Sequence, residues 1–140
     1  RRFGPYTGRR YTVTKNEETY RNVFTVHYPD EERPDARPAK TSAVYAKLDR
    51  MGAVWGQRYG WERANWFEPN AVAGDESLRP DGWAGKLWSP AIGAEHIACR
   101  EAAALFDESS FAKIEVSGPD AAEYLQGQLT NDVEALAPAQ

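Results

Sequence analysis

The stretch from Leu105 to Val133, LFDESSFAKIEVSGPDAAEYLQGQLTNDV, is the most informative part of the chain. Its aromatic and β-branched residues at 111–116 predict a strand, and Ser-Gly-Pro at 117–119 predicts a tight turn. Asp120 suits the first turn of a following helix, because a carboxylate is favoured at a helix N-terminus. The apolar stripe of that helix is formed by Ala121, Tyr124, Leu125 and Leu129. Strand, turn and helix in this order predict an α+β domain.

The next signals upstream predict a helix from Ser89 to about Ala104. Serine is a good N-cap, and Pro90 suits the first turn, where its missing N–H would have no partner in any case. Apolar residues on more than one face predict that this helix is buried. Residues 68–87 hold several Gly and Pro with little periodicity, so they predict a long loop.

A helix and a strand are predicted before that loop. The helix is predicted to run from a cap at Thr41 or Ser42 to about Arg50, with Gly52 as the residue that ends it. Its apolar residues recur at helical spacing: Val44, Tyr45, Leu48 and Met51. Residues 53–59 then predict a strand.

The first forty residues predict short strands followed by an extended connector. Tyr11, Val13 and residues 23–28 are rich in β-branched and aromatic types. Residues 29–40, PDEERPDARPAK, contain three prolines, which continue neither a helix nor a central strand. This segment is therefore the best candidate for a linker.

The composition argues against several classes of protein. The 140 residues suit one ordinary domain, and a net charge of −4 disfavours nucleic-acid binding, which needs a basic face. No apolar run approaches the roughly 20 residues of a membrane-spanning helix, and the start of the chain does not resemble a signal peptide. The single cysteine fits a reducing compartment. The expected location is the cytoplasm, with the mitochondrial matrix as the alternative. Without an initiator methionine, the chain is expected to be a fragment or a processed product.

The motifs predict neither a metal site nor a catalytic residue. Glu95, His96 and Cys99 could form half a metal site, but structural zinc needs four ligands and the chain holds one other histidine and no further cysteine. We therefore interpret them as ordinary helix residues, with Cys99 a packed and inert thiol. The Gly-rich phosphate loops and the Gly-x-Ser-x-Gly elbow are absent.

Aromatic residues are concentrated in one block: Trp55, Trp61 and Trp66 lie close in sequence to Tyr59 and Phe67. Such rings either stack on a flat ligand such as a pterin or flavin, or fill a core or an interface between domains. Both interpretations stay open from the residues alone.

Three blocks of sequence resemble the folate-binding aminomethyltransferase domain, found in the glycine-cleavage T-protein and at the C-terminal end of dimethylglycine and sarcosine dehydrogenases. They are TSAVYAKLDRMGAVWGQRYGWERANWF at 41–67, SPAIGAEHIACREAAALFDESSF at 89–111 and AKIEVSGPDAAEYLQGQLTNDV at 112–133. The Glu-Arg-x-Asn-Trp-Phe ending of the first block is closer to the dehydrogenase branch. Residues 1–40 are similar to the segment that joins the flavin domain to the folate domain in that branch.

The resemblance implies a connector at 1–40 that follows a flavin domain, and the incomplete first part of an aminomethyltransferase-like, folate-binding domain at 41–140. It implies an FAD- and tetrahydrofolate-dependent oxidoreductase that oxidises an N-methyl amine, such as dimethylglycine or sarcosine, to an iminium and passes the one-carbon unit to tetrahydrofolate. FAD would bind outside this chain, and the family's catalytic carboxylate falls beyond Gln140. The chain alone is therefore expected to be inactive, with the remainder of the enzyme, or a companion chain, and folate as partners.

Five residues are carried over by the resemblance as contacts of the folate pocket or its surroundings. Phe111 matches a pocket position, where an aromatic ring suits a pterin and packing at the start of a strand is equally expected. Asn131 and Asp132 match the edge of the pocket or a turn that ends a helix, and Asp132 is not the family's catalytic aspartate. Trp61 and Trp66 are placed at the junction between domains or in the core.

Two other hypotheses remain beside the FAD- and folate-dependent oxidoreductase. A stand-alone binding or assembly module of the same fold would pair with a chain that supplies the rest. A flavin-free aminomethyltransferase is disfavoured by residues 1–40, because free T-proteins begin near the block at Thr41.

Overall fold

The computed structural model describes residues 8–136, which contain four α-helices and one small sheet. In chain order the elements are α1 (Arg9–Arg21), α2 (Tyr45–Arg50), β1 (Ala53–Arg58), β2 (Trp61–Phe67), α3 (Pro90–Glu101) and α4 (Ala121–Gln128). Helices together with a sheet confirm the α+β class. The chain divides into two compact units, Arg1–Ser110 and Phe111–Gln140, and each is described by itself below.

Strands β1 and β2 form an antiparallel hairpin, and β1 confirms the strand predicted over 53–59. The hairpin turns at Tyr59 and Gly60, whose φ angles of 52° and 81° are both positive. Two positive φ angles are what a two-residue turn of type I′ requires, and its twist matches that of the strands. The register slips between Val54 and Trp55, so that Asn65 is the extra, unpaired residue of a β-bulge in β2.

Helix α2 confirms the helix predicted over 41–50, but it begins later than expected. Val44 is the N-cap and offers no side-chain cap bond, so the expectation that Thr41 or Ser42 caps the helix is wrong. The chain leaves the helix through Gly52, whose φ is +83°. A Cβ there would lie 2.6 Å from the ring of Pro69, so the position requires glycine for space as well as for conformation.

Helix α3 begins as predicted and ends at Glu101 rather than near Ala104. The Ser89 hydroxyl accepts a hydrogen bond from the Ala91 amide, which satisfies one of the amides left over at a helix start. The predicted burial is wrong beyond the first turns, because Ile97 is 53% exposed. Within residues 8–136 the helix packs chiefly on the 3₁₀ helix Glu68–Ala73, which covers one face only.

The predicted loop at 68–87 is confirmed as a region without α-helix or strand, although it contains three short 3₁₀ helices. These helices are Glu68–Ala73, Glu76–Leu78 and Gly82–Gly85.

The short strands expected in the first 28 residues are wrong where the structure describes them. Tyr11 and Val13 lie in the thirteen-residue helix α1, and residues 23–28 form no strand. Intrinsic preference is a weak guide that tertiary contacts override. Here the contact comes from Glu18, a buried carboxylate of α1 that accepts the backbone amide of Asp35 at 2.8 Å.

The second unit contains α4, which confirms the helix predicted after the Ser-Gly-Pro turn. The strand predicted at 111–116 is wrong, because those residues have no regular structure. A β-strand needs a neighbour to satisfy its backbone groups, and the described part of this unit contains no second strand. The apolar stripe of α4 is only partly covered, with Tyr124 60% exposed.

Polar side chains hold much of the first unit together. Its buried apolar residues are Trp66 and Ala91, whereas the buried polar residues of the described chain are Glu18, Glu62 and Ser89. Each of these three polar residues is hydrogen-bonded, as buried polar groups must be to avoid a large desolvation cost.

Candidate functional site

The segment 29–40, predicted as a linker, is attached to the hairpin by hydrogen bonds and ion pairs. The Arg37 guanidinium holds the Glu62 carboxylate with two hydrogen bonds, Nε to Oε1 at 3.0 Å and Nη2 to Oε2 at 2.5 Å. Nη2 also donates to the Trp55 carbonyl at 3.0 Å. The hydrogen bond to Glu62 raises the pKa of Arg37 above its ordinary value. The guanidinium therefore joins the connector to both strands of the hairpin.

Glu32 makes a second attachment between the connector and β1. Its carboxylate accepts the Gln57 backbone amide at 3.1 Å and the Arg58 guanidinium at 2.9 Å. The Glu32 carboxylate also lies 3.9 Å from Nη1 of Arg37. Because Glu62 and Glu32 share the cation of Arg37, the four charges form one network rather than two separate pairs.

Backbone bonds form a third attachment at the end of the connector. The Lys40 amide donates to the Gly60 carbonyl at 2.8 Å, and the Glu62 amide donates to the Lys40 carbonyl at 2.9 Å. Lys40 and Trp61 thus form an isolated parallel bridge at the edge of the sheet. None of the three attachments could be predicted from the sequence, whose only signal for them is a high density of charge in the connector and in the hairpin.

Helix α1 is tied to the connector through Glu18. Burial works to raise the pKa of Glu18, but hydrogen bonds from Lys15 and the Asp35 amide, with the charges of Lys15 and Arg33, outweigh it and hold the pKa below its usual value. Lys15 also donates to the Arg33 carbonyl at 3.2 Å. Arg21 pairs with Asp35 on the same face.

An open cleft of about 550 Å³ lies between α1, the connector, the hairpin and the start of α3. Its wall carries equal numbers of cationic and acidic side chains: Lys15, Arg33, Arg58, Asp30, Glu31 and Glu32. Trp66 and Ile92 provide its apolar part, and Gln57 and Asn65 its amides. The cleft is therefore mixed in polarity and electrically balanced.

Trp61 and Trp66, predicted as cofactor contacts, both lie on β2. Trp66 is 7% exposed, and its indole donates at 2.8 Å to Glu68, which also accepts the Ser89 hydroxyl. Trp61 is half-buried, with the ammonium of Lys40 5.9 Å from the centre of its ring. Trp66 is therefore buried, whereas Trp61 lies at the edge of the sheet, and a folate contact through either stays a prediction.

Phe111, Asn131 and Asp132, the other predicted cofactor contacts, belong to the second unit. Phe111 is 51% exposed. The Asp132 carboxylate accepts the Ala135 amide at 3.3 Å and the side-chain amide of Gln126 at 3.4 Å, so it holds the turn after α4. Asn131 is exposed in the same turn. Their contact with folate stays a prediction.

The three residues weighed as half a metal site do not act together. Glu95 accepts the Phe67 amide and the Asn70 side-chain amide, each at 2.7 Å, so it fixes α3 to the end of β2. Among residues 8–136 no cluster of His, Cys, Asp and Glu suits a metal ion. Cys99 is exposed, so the expectation of a packed thiol is wrong. It lies in the last turns of α3, where no described element covers it.

Across residues 8–136 no helix combines the length and the apolar character needed to cross a membrane.

Two protein families match consecutive parts of the chain, and the boundary between them lies between residues 42 and 44. The GCVT N-terminal domain family matches residues 44–140, and the FAD dependent oxidoreductase central domain family matches residues 1–42. The attachments of Arg37, Glu32 and Lys40 therefore join residues of the second family's segment to residues of the first.

Curated relatives match over most of the chain. It is 32% identical over 94% of its length to "4-methylaminobutanoate oxidase (formaldehyde-forming)" of Paenarthrobacter nicotinovorans, covering 16% of that protein. It is 31% identical over 93% of its length to "Dimethylglycine dehydrogenase, mitochondrial" of Homo sapiens, covering 15%. It is 31% identical over 80% of its length to "Pyruvate dehydrogenase phosphatase regulatory subunit, mitochondrial" of Mus musculus, covering 13%. The chain thus spans about one sixth or less of each relative.

Proposed function

The chain belongs to the GCVT N-terminal domain family, joined to an FAD dependent oxidoreductase central domain as in dimethylglycine dehydrogenase-like proteins, and from this premise we propose its role. It is part of an FAD- and tetrahydrofolate-dependent enzyme that oxidatively demethylates substrates of the dimethylglycine or sarcosine type. Its contribution is the scaffold where the flavin-linked segment meets the folate-binding domain.

The observation that carries the proposal is the seam between the two family segments. Arg37, on the flavin-linked side, is bonded to Glu62 and to the Trp55 carbonyl on the other side. In a protein with only one of the two domains, these bonds would have no second segment to hold. The seam therefore supports an enzyme in which both domains work in one protein.

The residues of this chain fit the two cofactors differently. FAD supplies the two-electron oxidation, and tetrahydrofolate accepts the one-carbon unit. The chain offers no Gly-rich loop for the phosphates of FAD, so that cofactor is assigned to the rest of the protein. An exposed aromatic ring suits a pterin, and Phe111 provides one. Asn131 and Asp132 are assigned to the edge of the same pocket. Trp61 and Trp66 are assigned to the junction between the flavin-linked segment and the folate-binding domain.

The test uses the full-length protein that carries this chain. Dimethylglycine, sarcosine and 4-methylaminobutanoate are mixed with it anaerobically, and flavin absorbance is followed. We expect bleaching with at least one of them, because oxidation of the N-methyl amine reduces the flavin. Free formaldehyde is then measured with and without tetrahydrofolate, which is expected to lower the yield by capturing the one-carbon unit.

Phe111→Ala tests the part of the proposal that belongs to this chain. Flavin bleaching is expected to be unchanged, while capture of the one-carbon unit by tetrahydrofolate falls. Phe106→Ala is the matched control, because Phe106 is also a largely exposed ring in an irregular segment. A loss of capture that is equal in both variants would contradict a pterin contact at Phe111.

A second candidate is a binding or assembly module without turnover of its own. It is favoured by one relative, whose name describes it as a regulatory subunit of pyruvate dehydrogenase phosphatase. Failure of all three amines to bleach the flavin, with the protein still folded, would favour this candidate over the enzyme. A flavin-free aminomethyltransferase would instead show no bound flavin at all.

The partners are the remainder of the enzyme, or a companion chain, and folate, with no role for nucleic acid or membrane. The proposed compartment is the cytoplasm, with the mitochondrial matrix as the alternative, which is supported by two relatives whose names describe them as mitochondrial.

A further inference from the structure

We infer that the cleft between α1, the connector and the hairpin is a binding site for a small zwitterion, such as an amino acid. The site holds the carboxylate of the ligand at the amides of Gln57 and Asn65, and its ammonium group at Asp30. It is independent of the proposed flavin and folate chemistry, because its residues lie in the first unit and the three that would hold the ligand, Asp30, Gln57 and Asn65, are assigned to neither cofactor.

A buried amide without a partner is the first observation. The Gln57 side-chain oxygen accepts the Tyr11 hydroxyl at 3.3 Å, whereas its Nε2 is buried and has no acceptor among residues 8–136. Buried donors in folded proteins are almost always paired, and an unpaired one requires an explanation. Gln57 lines the cleft, so a rotation of its side chain toward the cleft would let an acceptor oxygen of a bound molecule supply the missing bond.

The β-bulge is the second observation. Asn65 is the unpaired residue of the bulge, and bulges often redirect a side chain beside a binding site. The Asn65 amide lies directly above Gly56, where a Cβ would come within 2.5 Å of its oxygen. Glu32 approaches the same point, 2.7 Å from that Cβ position. The absence of a side chain at Gly56 therefore leaves room for two polar groups at the floor of the cleft.

Asp30 is the third observation. Its φ is 63°, a left-handed conformation that costs energy for a residue other than glycine and that is found often at ligand-binding positions. Asp30 lines the cleft, and among the described residues its carboxylate has no hydrogen-bond donor or ion-pair partner. The other two acidic groups of the wall are engaged, Glu31 by the Tyr28 amide and Glu32 by Arg58.

The uncommitted groups decide the chemistry of the ligand. Amide donors at Gln57 and Asn65 favour an oxygen acceptor, and the carboxylate at Asp30 favours a cation. The charged residues of the wall balance, so a ligand without net charge is favoured over an anion or a cation. Trp66 and Ile92 leave an apolar surface for a short aliphatic side chain. A small amino acid satisfies all four requirements.

The experiment is a titration of the ¹⁵N-labelled chain by NMR with L-alanine and with propionate. Propionate is alanine without its ammonium group. We expect alanine to shift the side-chain NH₂ signals of Gln57 and Asn65 saturably, and to bind at least about tenfold more tightly than propionate, since a tenfold ratio is the size of one good polar contact. The Gln57 signals are identified by their loss in Gln57→Glu.

Two variants separate the ends of the ligand. Gln57→Glu keeps the acceptor for Tyr11 but repels a carboxylate, so both compounds should bind at least about tenfold more weakly. Gln128→Glu adds the same charge on the exposed surface of α4 and should bind as the parent chain does. Asp30→Asn tolerates the left-handed conformation and removes the charge, so alanine should lose its advantage over propionate.

Three results would overturn the inference. One is the absence of any saturable shift, which would mean that solvent alone occupies the cleft. Another is binding of propionate that equals that of alanine in the parent chain. The last is equal binding by Gln57→Glu and Gln128→Glu, which would place the ligand elsewhere.

Discussion

The charge of Arg37 is a residue-level feature on which the first unit depends, since it neutralises a buried carboxylate. Arg37→Met leaves the Glu62 carboxylate buried without its cation, and the loss of one partner from a buried pair costs about 3 kcal/mol of unfolding free energy. Urea unfolding measures this change. The double variant Arg37→Met/Glu62→Leu should regain part of the loss, because no charge then stays buried.

The control for that measurement is Arg58→Met. Arg58 pairs with Glu32, but its side chain is 58% exposed, so the loss should be about 1 kcal/mol or less. Equal losses in Arg37→Met and Arg58→Met would contradict the view that the buried pair carries the attachment.

Glu18 makes the stability of the chain depend on pH in the acid range. Its pKa in the folded chain lies below the ordinary value of 4.5, so its contribution is fully present above pH 4.5 and is lost as the pH falls through the folded pKa. Glu18→Gln should lower the unfolding free energy at pH 7 by about 1–2 kcal/mol and flatten its decline below pH 4.5. Urea unfolding at a series of pH values checks both. A decline as steep as in the parent chain would contradict the assignment to Glu18.

At the scale of the element, the start of α3 depends on one hydroxyl. Ser89 accepts the Ala91 amide and donates to Glu68 while buried, so Ser89→Ala should lower the unfolding free energy by about 1–2 kcal/mol. Ser109→Ala is the control, because Ser109 is exposed and its bond to Asp107 is made by the backbone amide. Thermal unfolding compares them, and an equal change in both would remove the capping role.

The elements with strong local signals could be predicted from the sequence, and those that depend on distant partners could not. Ser89 and Pro90 predict the start of α3 from local chemistry alone. Helix α1 instead buries Glu18, a residue that no apolar pattern would place inside. The strand expected at 111–116 failed for the same kind of reason, since pairing is decided outside the segment itself.

The candidate sites divide along the same line. The resemblance to a known family named Phe111, Asn131 and Asp132 as candidate folate contacts. It could do so because each lies in a short motif that can be matched position by position. The cleft arises from Asp30, Gln57 and Asn65, which are separated in sequence and meet only through a bulge and the bonded connector. No spacing rule in the sequence links these three, although the charge density of residues 29–40 was a signal that the segment has partners.

At the scale of the whole molecule, the connector and the hairpin should open as one cooperative unit. The amide of Asp35 is bonded to Glu18 and that of Gln57 to Glu32, so neither should exchange with solvent unless the attachments break together. Amide hydrogen exchange followed by NMR should therefore give the two amides similar opening free energies. A flexible linker would instead give fast exchange at Asp35 beside a protected hairpin.

Arg37→Met provides the decisive comparison for this cooperative unit. Loss of the guanidinium removes its bonds to Glu62 and to the Trp55 carbonyl, and Glu32 loses a neighbouring cation. Exchange at Asp35 and Gln57 should then accelerate by similar factors, although neither amide touches Arg37 directly. Arg58→Met should leave Asp35 unchanged, because its pair with Glu32 is exposed. Acceleration at Gln57 alone in Arg37→Met would show that the attachments act separately and that the seam does not transmit the position of the flavin-linked segment.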